Sequence, residues 1–274
     1  MNRSPWQELV RRGSRALFLG AKRTRWALAP VPPARRRRVL VAGVQRSGTN
    51  MLMDILEKHW EVDAYHERDP RAFDNYAMRD WPVIERLMAR SGHPVFAIKS
   101  LFELQILPEL MTRMAPARTL WIVRHHHDTV NSTLKSFSRN LVPRINRALK
   151  PGTDEWLGGG MSPTTRERLA PLVHPEMKPA DAAAIQWYFR NILFFEHGFD
   201  RNAAVLPIGY EHLVTDPETQ IRRLCDFLEI PYQPRMSRGI YASSIGKRRK
   251  PVLSPEVESL CEELAGRFAP LVAP

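Results

Sequence analysis

The chain has 274 residues, with 41 lysines and arginines, 29 aspartates and glutamates, and 43% hydrophobic residues. This length and composition fit a folded domain with a substantial core, and they exclude a globally disordered chain and a fibrous repeat. The two cysteines, Cys225 and Cys261, are too few for a disulfide framework. Both lie in helical apolar patterns, which predict buried, unpaired thiols.

The net charge of +12 is concentrated at the N-terminus. Residues 1–38 hold 11 basic residues and one acidic residue, so the other 30 basic and 28 acidic residues leave residues 39–274 nearly neutral. A nucleic-acid-binding domain is expected to spread its charge over a folded face, so no specific nucleic-acid partner is predicted. The chain therefore divides into a basic arm, 1–38, and a domain, 39–274.

The arm carries apolar residues at roughly helical spacing among its arginines, namely Trp6, Val10, Leu17 and Trp26. This pattern fits a helix on an anionic membrane surface or an organelle transit peptide, and a disordered basic tail fits it equally well. No apolar run is long enough for a transmembrane helix or a signal-peptide core. We therefore expect a cytoplasmic protein, either free or membrane-associated.

Apolar, β-branched runs alternate with helical patterns along the domain. Strands are predicted at residues 39–44, 95–98, 119–123 and 205–208, and helices at 49–59, 103–114, 128–138, 215–228 and 255–264. This alternation predicts a single P-loop-like α/β domain, with a central, mostly parallel sheet flanked by helices. Residues 139–180 are too long for a plain connection, so we expect either a lid or acceptor-binding insertion, or a mobile loop.

A glycine-containing loop at residues 43–50 joins the first predicted strand to the first predicted helix, where backbone amides can hold an anion. Its glycines have the spacing of a Walker A loop, but Thr49 occupies the lysine position and Asn50 the Ser/Thr position. A kinase or NTPase would lack both its phosphate-binding lysine and its magnesium-binding hydroxyl. The pattern predicts a phosphate cradle that needs no metal, with Arg46 inside it.

The sequence Arg46-Ser47-Gly48-Thr49 resembles the 5′-phosphosulfate loop of sulfotransferases, which use 3′-phosphoadenosine 5′-phosphosulfate (PAPS) as sulfuryl donor. A second stretch, in which Arg124 ends a predicted strand and Ser132 follows eight residues later, resembles the family's 3′-phosphate motif. Arg124 supplies a charged fork there and Ser132 a hydroxyl near a helix start.

Residues 209–217 resemble the segment that follows the family's late strand, and residues 243–250 resemble the family's C-terminal loop, which covers the nucleotide. By motif order the resemblance runs from about residue 38 to about residue 268. It implies that PAPS is bound by Arg46, Ser47, Gly48, Thr49, Asn50, Arg124, Ser132, Tyr210, Ser244, Gly246 and Lys247. Two roles are equally possible for Tyr210: it either contacts the adenine or packs in the core.

The resemblance is closer to the carbohydrate and tyrosylprotein branches than to the cytosolic branch, because Arg46 stands where the cytosolic enzymes have lysine. Residues 125–127 are histidines where the family usually has Asp or Asn and then Pro. Consecutive side chains at a strand–helix junction are expected to point in different directions, and no carboxylate or cysteine lies at ligand spacing. We therefore predict polar loop residues and no metal site.

The expected reaction is metal-independent, in-line sulfuryl transfer to a hydroxyl group, which needs a base and cations around the transferred group. Arg46 and Lys99 are the candidate cations, although a solvated lysine at a strand end also fits Lys99. The resemblance favours Glu67 as base, with His66 as the alternative.

Sugar, glycolipid and tyrosine hydroxyls all fit as acceptors, and the sugar and glycolipid hydroxyls are favoured. The competing interpretations are a P-loop kinase or NTPase, and a membrane or nucleic-acid adaptor on a degenerate P-loop scaffold.

Overall fold

A computed structural model of the chain describes residues 5–150, 152, 155–243 and 245–273, with the backbone alone for residues 5–12, 138 and 155. The strands are β1 (Arg37–Gly43), β2 (Val62–Tyr65), β3 (Phe73–Asp74), β4 (Ala77–Met78), β5 (Val95–Ser100), β6 (Ala117–Val123) and β7 (Val205–Gly209). The helices are α1 (Pro5–Leu28), α2 (Thr49–Glu57), α3 (Trp81–Arg90), α4 (Leu107–Arg113), α5 (His126–Phe137), α6 (Leu141–Ala148), α7 (Glu155–Gly158), α8 (Pro163–Leu169), α9 (Pro179–Glu196), α10 (Tyr210–Thr215), α11 (Pro217–Leu228) and α12 (Pro255–Val272).

The central sheet is parallel throughout its order β2-β5-β1-β6-β7, and helices cover it, which confirms the predicted fold class. In register, Ala42 of β1 lies beside Ser100 of β5, and Gly43 lies beside Ile122 of β6. The carboxyl ends of these three strands therefore meet at one edge, where ligands of such sheets bind. β3 and β4 form a separate antiparallel hairpin.

The core consists of apolar clusters on the two faces of the sheet. One contains most of α9, in which every residue from Asp181 to Phe194 is buried, so that apolar side chains lie on all sides of the helix. A helix of this kind has to lie inside the protein. The other cluster contains the inward faces of α2 and α11. Cys225 and Cys261 are both buried and unpaired, as their patterns predict.

Helix α1 packs against the segment that follows α2. The buried Lys22 ammonium donates hydrogen bonds to the backbone oxygens of Glu57, His59 and Val62, at 2.8, 3.1 and 2.6 Å. Trp26 Nε1 donates to the Trp60 oxygen at 2.7 Å. A lysine thus satisfies carbonyl groups at and beyond the C-terminal end of a helix, where positive charge is favoured.

The outward side of α1 exposes Leu17 and Leu28. The side chains of Trp6 and Val10, which are part of the predicted apolar pattern, lie outside the described residues. Among the described residues, no helix is long and apolar enough to cross a membrane.

The described part of residues 139–180 is helical and packed. α6 buries Leu141 and Ile145 in the core that contains α9. The Arg166 guanidinium on α8 donates to the backbone oxygens of Leu149 and Gly158, at 2.7 and 3.0 Å, and so connects α6, α7 and α8. This segment carries side chains to one end of the cavity described below.

Candidate active site

A cavity of about 500 Å³ opens at the carboxyl edge of the sheet. Its wall contains residues of the loop after β1, the ends of β5 and β6, helix α5 and the segment 139–180. One end carries the predicted phosphate-binding residues, and the other is mainly aromatic. We call them the nucleotide end (Arg46, Gly48, Thr49, Asn50, Arg124, Ser132 and Tyr210) and the acceptor end (Arg68, Tyr76, Phe102, Phe137, Arg144 and Trp156).

The loop after β1 is held in a sharp turn by its own backbone. Arg46 and Gly48 have φ values of 72° and 107°, in the left-handed region that favours glycine. A Cβ on Gly48 would lie 2.5 Å from the Tyr210 ring, so only glycine fits at this position. Ser47 donates to the Val44 oxygen from both its amide and its hydroxyl, at 3.1 and 2.7 Å. The hydrogen-bond donors of Ser47 are therefore used inside the loop.

Helix α2 starts directly after this turn. Its N-cap is Gly48, and within the described part of the chain no side-chain oxygen caps its first amides. Thr49 and Asn50 are its first residues, and both line the cavity. An uncapped helix start that faces a cavity is a suitable place for an anion, because its amides and the helix dipole both favour negative charge.

The second predicted phosphate site lies on the same cavity. The Arg46 Nε donates to the Ser132 hydroxyl at 2.9 Å, which connects the loop after β1 to α5. The Arg124 guanidinium lies 4.4 Å from the centre of the Tyr210 ring and 3.4 Å from Asp128. The largely buried Tyr210 packs in the core and also lines the cavity, so both open interpretations of this residue fit its position.

Lys99 connects the nucleotide end to the candidate base. It is 1% exposed at the end of β5, and its ammonium donates to the Asn50 side-chain oxygen at 2.8 Å and to the Glu67 carboxylate. Burial lowers the pKa of Lys99, while the contact with Glu67 opposes that shift. Lys99 is therefore a buried, paired residue of the cavity wall, and the alternative of a solvated lysine is wrong.

His66, the alternative base, faces away from the cavity. Its Nε2 lies 3.3 Å from the Glu57 carboxylate, and it is absent from the cavity wall, whereas Glu67 is part of that wall. Burial opposes the negative charge of Glu57, but its contacts with His66 and Arg15 lower its pKa to about 2. The Glu57 carboxylate thus holds His66 at the end of α2, beside the arm.

The C-terminal loop runs along α5. The Gly246 amide donates to Asp128 at 3.2 Å, and the Asn131 side chain donates to the Arg249 oxygen at 3.0 Å. Asp128 therefore contacts both Arg124 and this loop. Lys247 is exposed and does not line the cavity. Ser244 lies outside the described residues.

The three consecutive histidines differ from their predicted arrangement. One ring nitrogen from each of His125, His126 and His127 lies within 4.8 Å of the other two, so the expectation that these side chains diverge is wrong. The rings converge because β6 ends and α5 begins here, and the tight junction stacks His125 on His126 at 4.4 Å. Burial lowers the pKa of His126 to about 4. A carboxylate from a distant segment, Glu258, lies 2.7 Å from His127.

The acceptor end contains residues that the sequence analysis did not single out. The Phe102 and Trp156 rings are stacked, with their centres 4.2 Å apart, and the Arg144 guanidinium lies 5.8 Å from the Trp156 ring centre. Tyr76 and Phe137 are partly exposed on the same cavity. For Phe137 and Trp156, the one local signal is the presence of aromatic side chains beside and in a segment that is otherwise rich in Arg, Pro and Gly.

Solved structures of other proteins share this fold. A solved sulfotransferase domain from the curacin biosynthetic pathway has a TM-score of 0.51 and 16% identity, covering 84% of this chain and 98% of that one. A second, from the olefin synthase of Synechococcus PCC 7002, has a TM-score of 0.53 and 15% identity, covering 84% and 94%. At these identities the likeness concerns the fold alone.

No curated protein sequence matches the chain. The family model described as a sulfotransferase domain matches residues 36–250, which is most of the chain and includes β1, β5, β6, β7 and the cavity. The protein therefore belongs to the sulfotransferase family and is an enzyme of sulfuryl transfer.

Proposed function

We propose that this enzyme transfers the sulfuryl group of PAPS to a hydroxyl group of a carbohydrate or glycolipid acceptor. The observation that carries the proposal is a single cavity that contains two cationic sites, at Arg46 and at Arg124 with Ser132, next to the Lys99–Glu67 pair. A nucleotide with phosphate groups at both its 3′ and 5′ positions matches two such sites.

The residues present fit this cosubstrate. The uncapped start of α2 and Arg46 would hold the 5′-phosphosulfate, and Arg124 with Ser132 would hold the 3′-phosphate. PAPS, when bound, supplies the activated sulfuryl group. Thr49 and Asn50 replace the lysine and hydroxyl that a kinase or NTPase needs, and membership of the sulfotransferase family opposes both competing interpretations.

The chemistry follows from the placement of Lys99 between Asn50 and Glu67. The Glu67 carboxylate accepts the proton of the acceptor hydroxyl while the acceptor oxygen forms a bond to sulfur. The bond between sulfur and the 5′-phosphate oxygen breaks, and its electron pair leaves with 3′-phosphoadenosine 5′-phosphate (PAP). Lys99 and Arg46 stabilise the negative charge that develops on the leaving phosphate.

The acceptor end supports an amphipathic carbohydrate acceptor. The stacked Phe102 and Trp156 provide an apolar platform, which suits the ring face of a sugar or a lipid chain. The Arg144 guanidinium lies beside Trp156, and the Arg68 guanidinium lies beside Tyr76 in the same cavity wall. An acidic group on the acceptor, such as a uronate or a phosphate, would be paired by them. The kinship with the carbohydrate and tyrosylprotein branches, the cytoplasmic location and the membrane contact of the arm stay predictions.

The donor assignment is tested by thermal stability with PAP in a chelator-containing buffer. PAP is expected to raise Tm without magnesium, whereas ATP with magnesium is expected to leave it nearly unchanged. Stabilisation by ATP with magnesium and none by PAP would refute the proposal.

The acceptor class is tested by incubating the enzyme with sulfur-labelled PAPS and with cell extracts that have been separated into lipid, carbohydrate and protein fractions. We expect the label to appear in the lipid or carbohydrate fraction.

The base is tested by the neighbouring pair Glu67→Gln and His66→Ala. Glu67→Gln is expected to lower kcat by about a hundredfold to ten-thousandfold, because it removes the proton acceptor. His66→Ala is expected to keep kcat, because His66 lies outside the cavity wall. PAP affinity, which both variants should retain, is the control. Wild-type turnover in Glu67→Gln would overturn the assignment.

A further inference from the structure

The convergence of His125, His126 and His127 brings nitrogen ligands together on the outside of the cavity. One ring nitrogen from each residue lies within 4.8 Å of the other two, and none of the three residues lines the cavity. In a tetrahedral zinc site two ligand nitrogens are about 3.4 Å apart, so small rotations of the more exposed His125 and His127 would close the set.

The buried member of the cluster is unsatisfied. His126 is 1% exposed, and neither of its ring nitrogens has a hydrogen-bond partner among the residues that the structure describes. Its Nε2 lies 3.5 Å from Glu258 Oε1 without hydrogen-bond geometry, and the adjacent Trp187 donates its indole proton elsewhere, to the Arg124 oxygen. A buried imidazole without partners is costly, and an absent ion is one of the recognised explanations.

A fourth ligand comes from the first turn of α12. Glu258 Oε1 lies 2.7 Å from His127 Nε2 and 2.9 Å from the Lys250 ammonium, so the carboxylate is already directed at the cluster. Three imidazoles and one carboxylate are ligands for borderline divalent metals such as Zn²⁺, Co²⁺ and Ni²⁺, and they suit Mg²⁺ and Ca²⁺ poorly. The exposed His125 leaves the cluster accessible from solvent.

We propose that His125, His126, His127 and Glu258 form a structural binding site for one divalent transition metal ion, of which Zn²⁺ is the representative. The ion would join the start of α5 to the start of α12. Because α5 carries Ser132 and begins two residues after Arg124, the ion would brace the nucleotide end of the cavity. It would take no part in sulfuryl transfer, because its ligands lie outside the cavity wall.

The test uses the tag-free full chain, stripped with chelator and titrated with ZnCl₂ alone. We expect one Zn²⁺ per chain, and a Tm increase of roughly 5–10 °C at a hundredfold excess over Kd. Co²⁺ in place of Zn²⁺ is expected to give the visible absorption of a tetrahedral site with nitrogen and oxygen ligands. No binding, or several equivalent weak ions per chain, would overturn the proposal.

Substitutions locate the site. His127→Gln and Glu258→Gln replace partly exposed side chains, so they should fold, and each is expected to weaken Zn²⁺ binding at least tenfold. His174→Gln is the matched control, because His174 also lies near a glutamate, Glu176 at 3.4 Å, but is separate from the cluster in the chain. Equal Zn²⁺ affinity in His127→Gln and the wild type would refute the site, whatever the sulfotransferase activity of the variant.

Discussion

The two ends of the cavity are constructed differently. The nucleotide end is built on the carboxyl ends of neighbouring parallel strands, with Arg46 after β1 and Arg124 directly after β6. Ser132 lies on α5, the helix that follows β6. The acceptor end collects its residues from separate connections: Tyr76 from the β3–β4 hairpin, Phe102 from the stretch after β5, and Trp156 from α7.

This difference has a functional consequence. Strand tips are fixed by the hydrogen-bonded register of the sheet, so the nucleotide end has little freedom to vary. The segments that connect strands and helices tolerate changes in length and composition, and on a rigid scaffold they determine which ligand is bound. We therefore expect substitutions at the nucleotide end to affect donor binding, substitutions at the acceptor end to affect acceptor KM, and substitutions between them to affect kcat.

The largest effect is expected at Lys99, which lies where the two ends meet. Lys99→Met should lower kcat by about a hundredfold to a thousandfold, because it removes a preorganised cation from the leaving group, while acceptor KM changes little. Lys22→Met is the matched control, since Lys22 is equally buried but binds the carbonyl groups after α2. The control should lower Tm and leave kcat unchanged. A similar loss of kcat in both variants would contradict the role of Lys99.

The pH dependence of the same residue gives a second measurement. The pKa of Lys99 is lowered from its ordinary value of 10.5 by burial, so kcat is expected to fall at alkaline pH below that value as the ammonium loses its proton. A guanidinium stays charged throughout this range, so Lys99→Arg should lose the alkaline decrease even if its kcat is low. An alkaline decrease that persists unchanged in Lys99→Arg would assign it to another group.

At the nucleotide end, Arg124→Gln is expected to weaken PAP binding by about tenfold to a hundredfold, because charge-assisted hydrogen bonds to the 3′-phosphate are lost. Binding of adenosine 5′-phosphosulfate, which lacks that phosphate, should be nearly the same in variant and wild type. Arg118→Gln is the control, because Arg118 lies near the opposite end of the same strand and pairs with Glu229. Equal weakening for both nucleotides would place the 3′-phosphate elsewhere.

The same contrast explains what the sequence could predict. Strands β1, β5, β6 and β7 and the loop at residues 43–50 were predictable, because apolar runs and a glycine turn are local signals. Strand β2 has only four residues, and α9 is buried on all sides, so neither segment shows a clear periodic alternation of apolar and polar residues. The acceptor end and the contact between His127 and Glu258 depend on side chains that only the tertiary fold brings together.

At the acceptor end, Trp156→Ala is expected to raise acceptor KM by about threefold to tenfold, because the variant loses one ring of the stacked pair with Phe102. PAP affinity should stay within error of the wild type. Trp81→Ala, on α3 and outside the cavity wall, is the control and should change neither quantity. A large loss of PAP affinity in Trp156→Ala would show that the two ends are not separate.

The smallest effect is expected at Ser132, whose hydroxyl contacts Arg46 across the nucleotide end. Ser132→Ala removes one hydrogen-bonding group while both guanidinium groups remain, so PAP affinity should fall by about threefold. Ser136→Ala, one turn later on α5 and exposed, should leave the affinity unchanged.

Ser132 connects the loop after β1 to α5, so its effect should be coupled to that of Arg46. The loss of PAP binding free energy in the double variant Ser132→Ala/Arg46→Met should therefore be smaller than the sum of the losses in the two single variants. Strict additivity in isothermal titration would show that the two phosphate sites act independently, and the nucleotide end would then be two adjoining sites instead of one rigid unit.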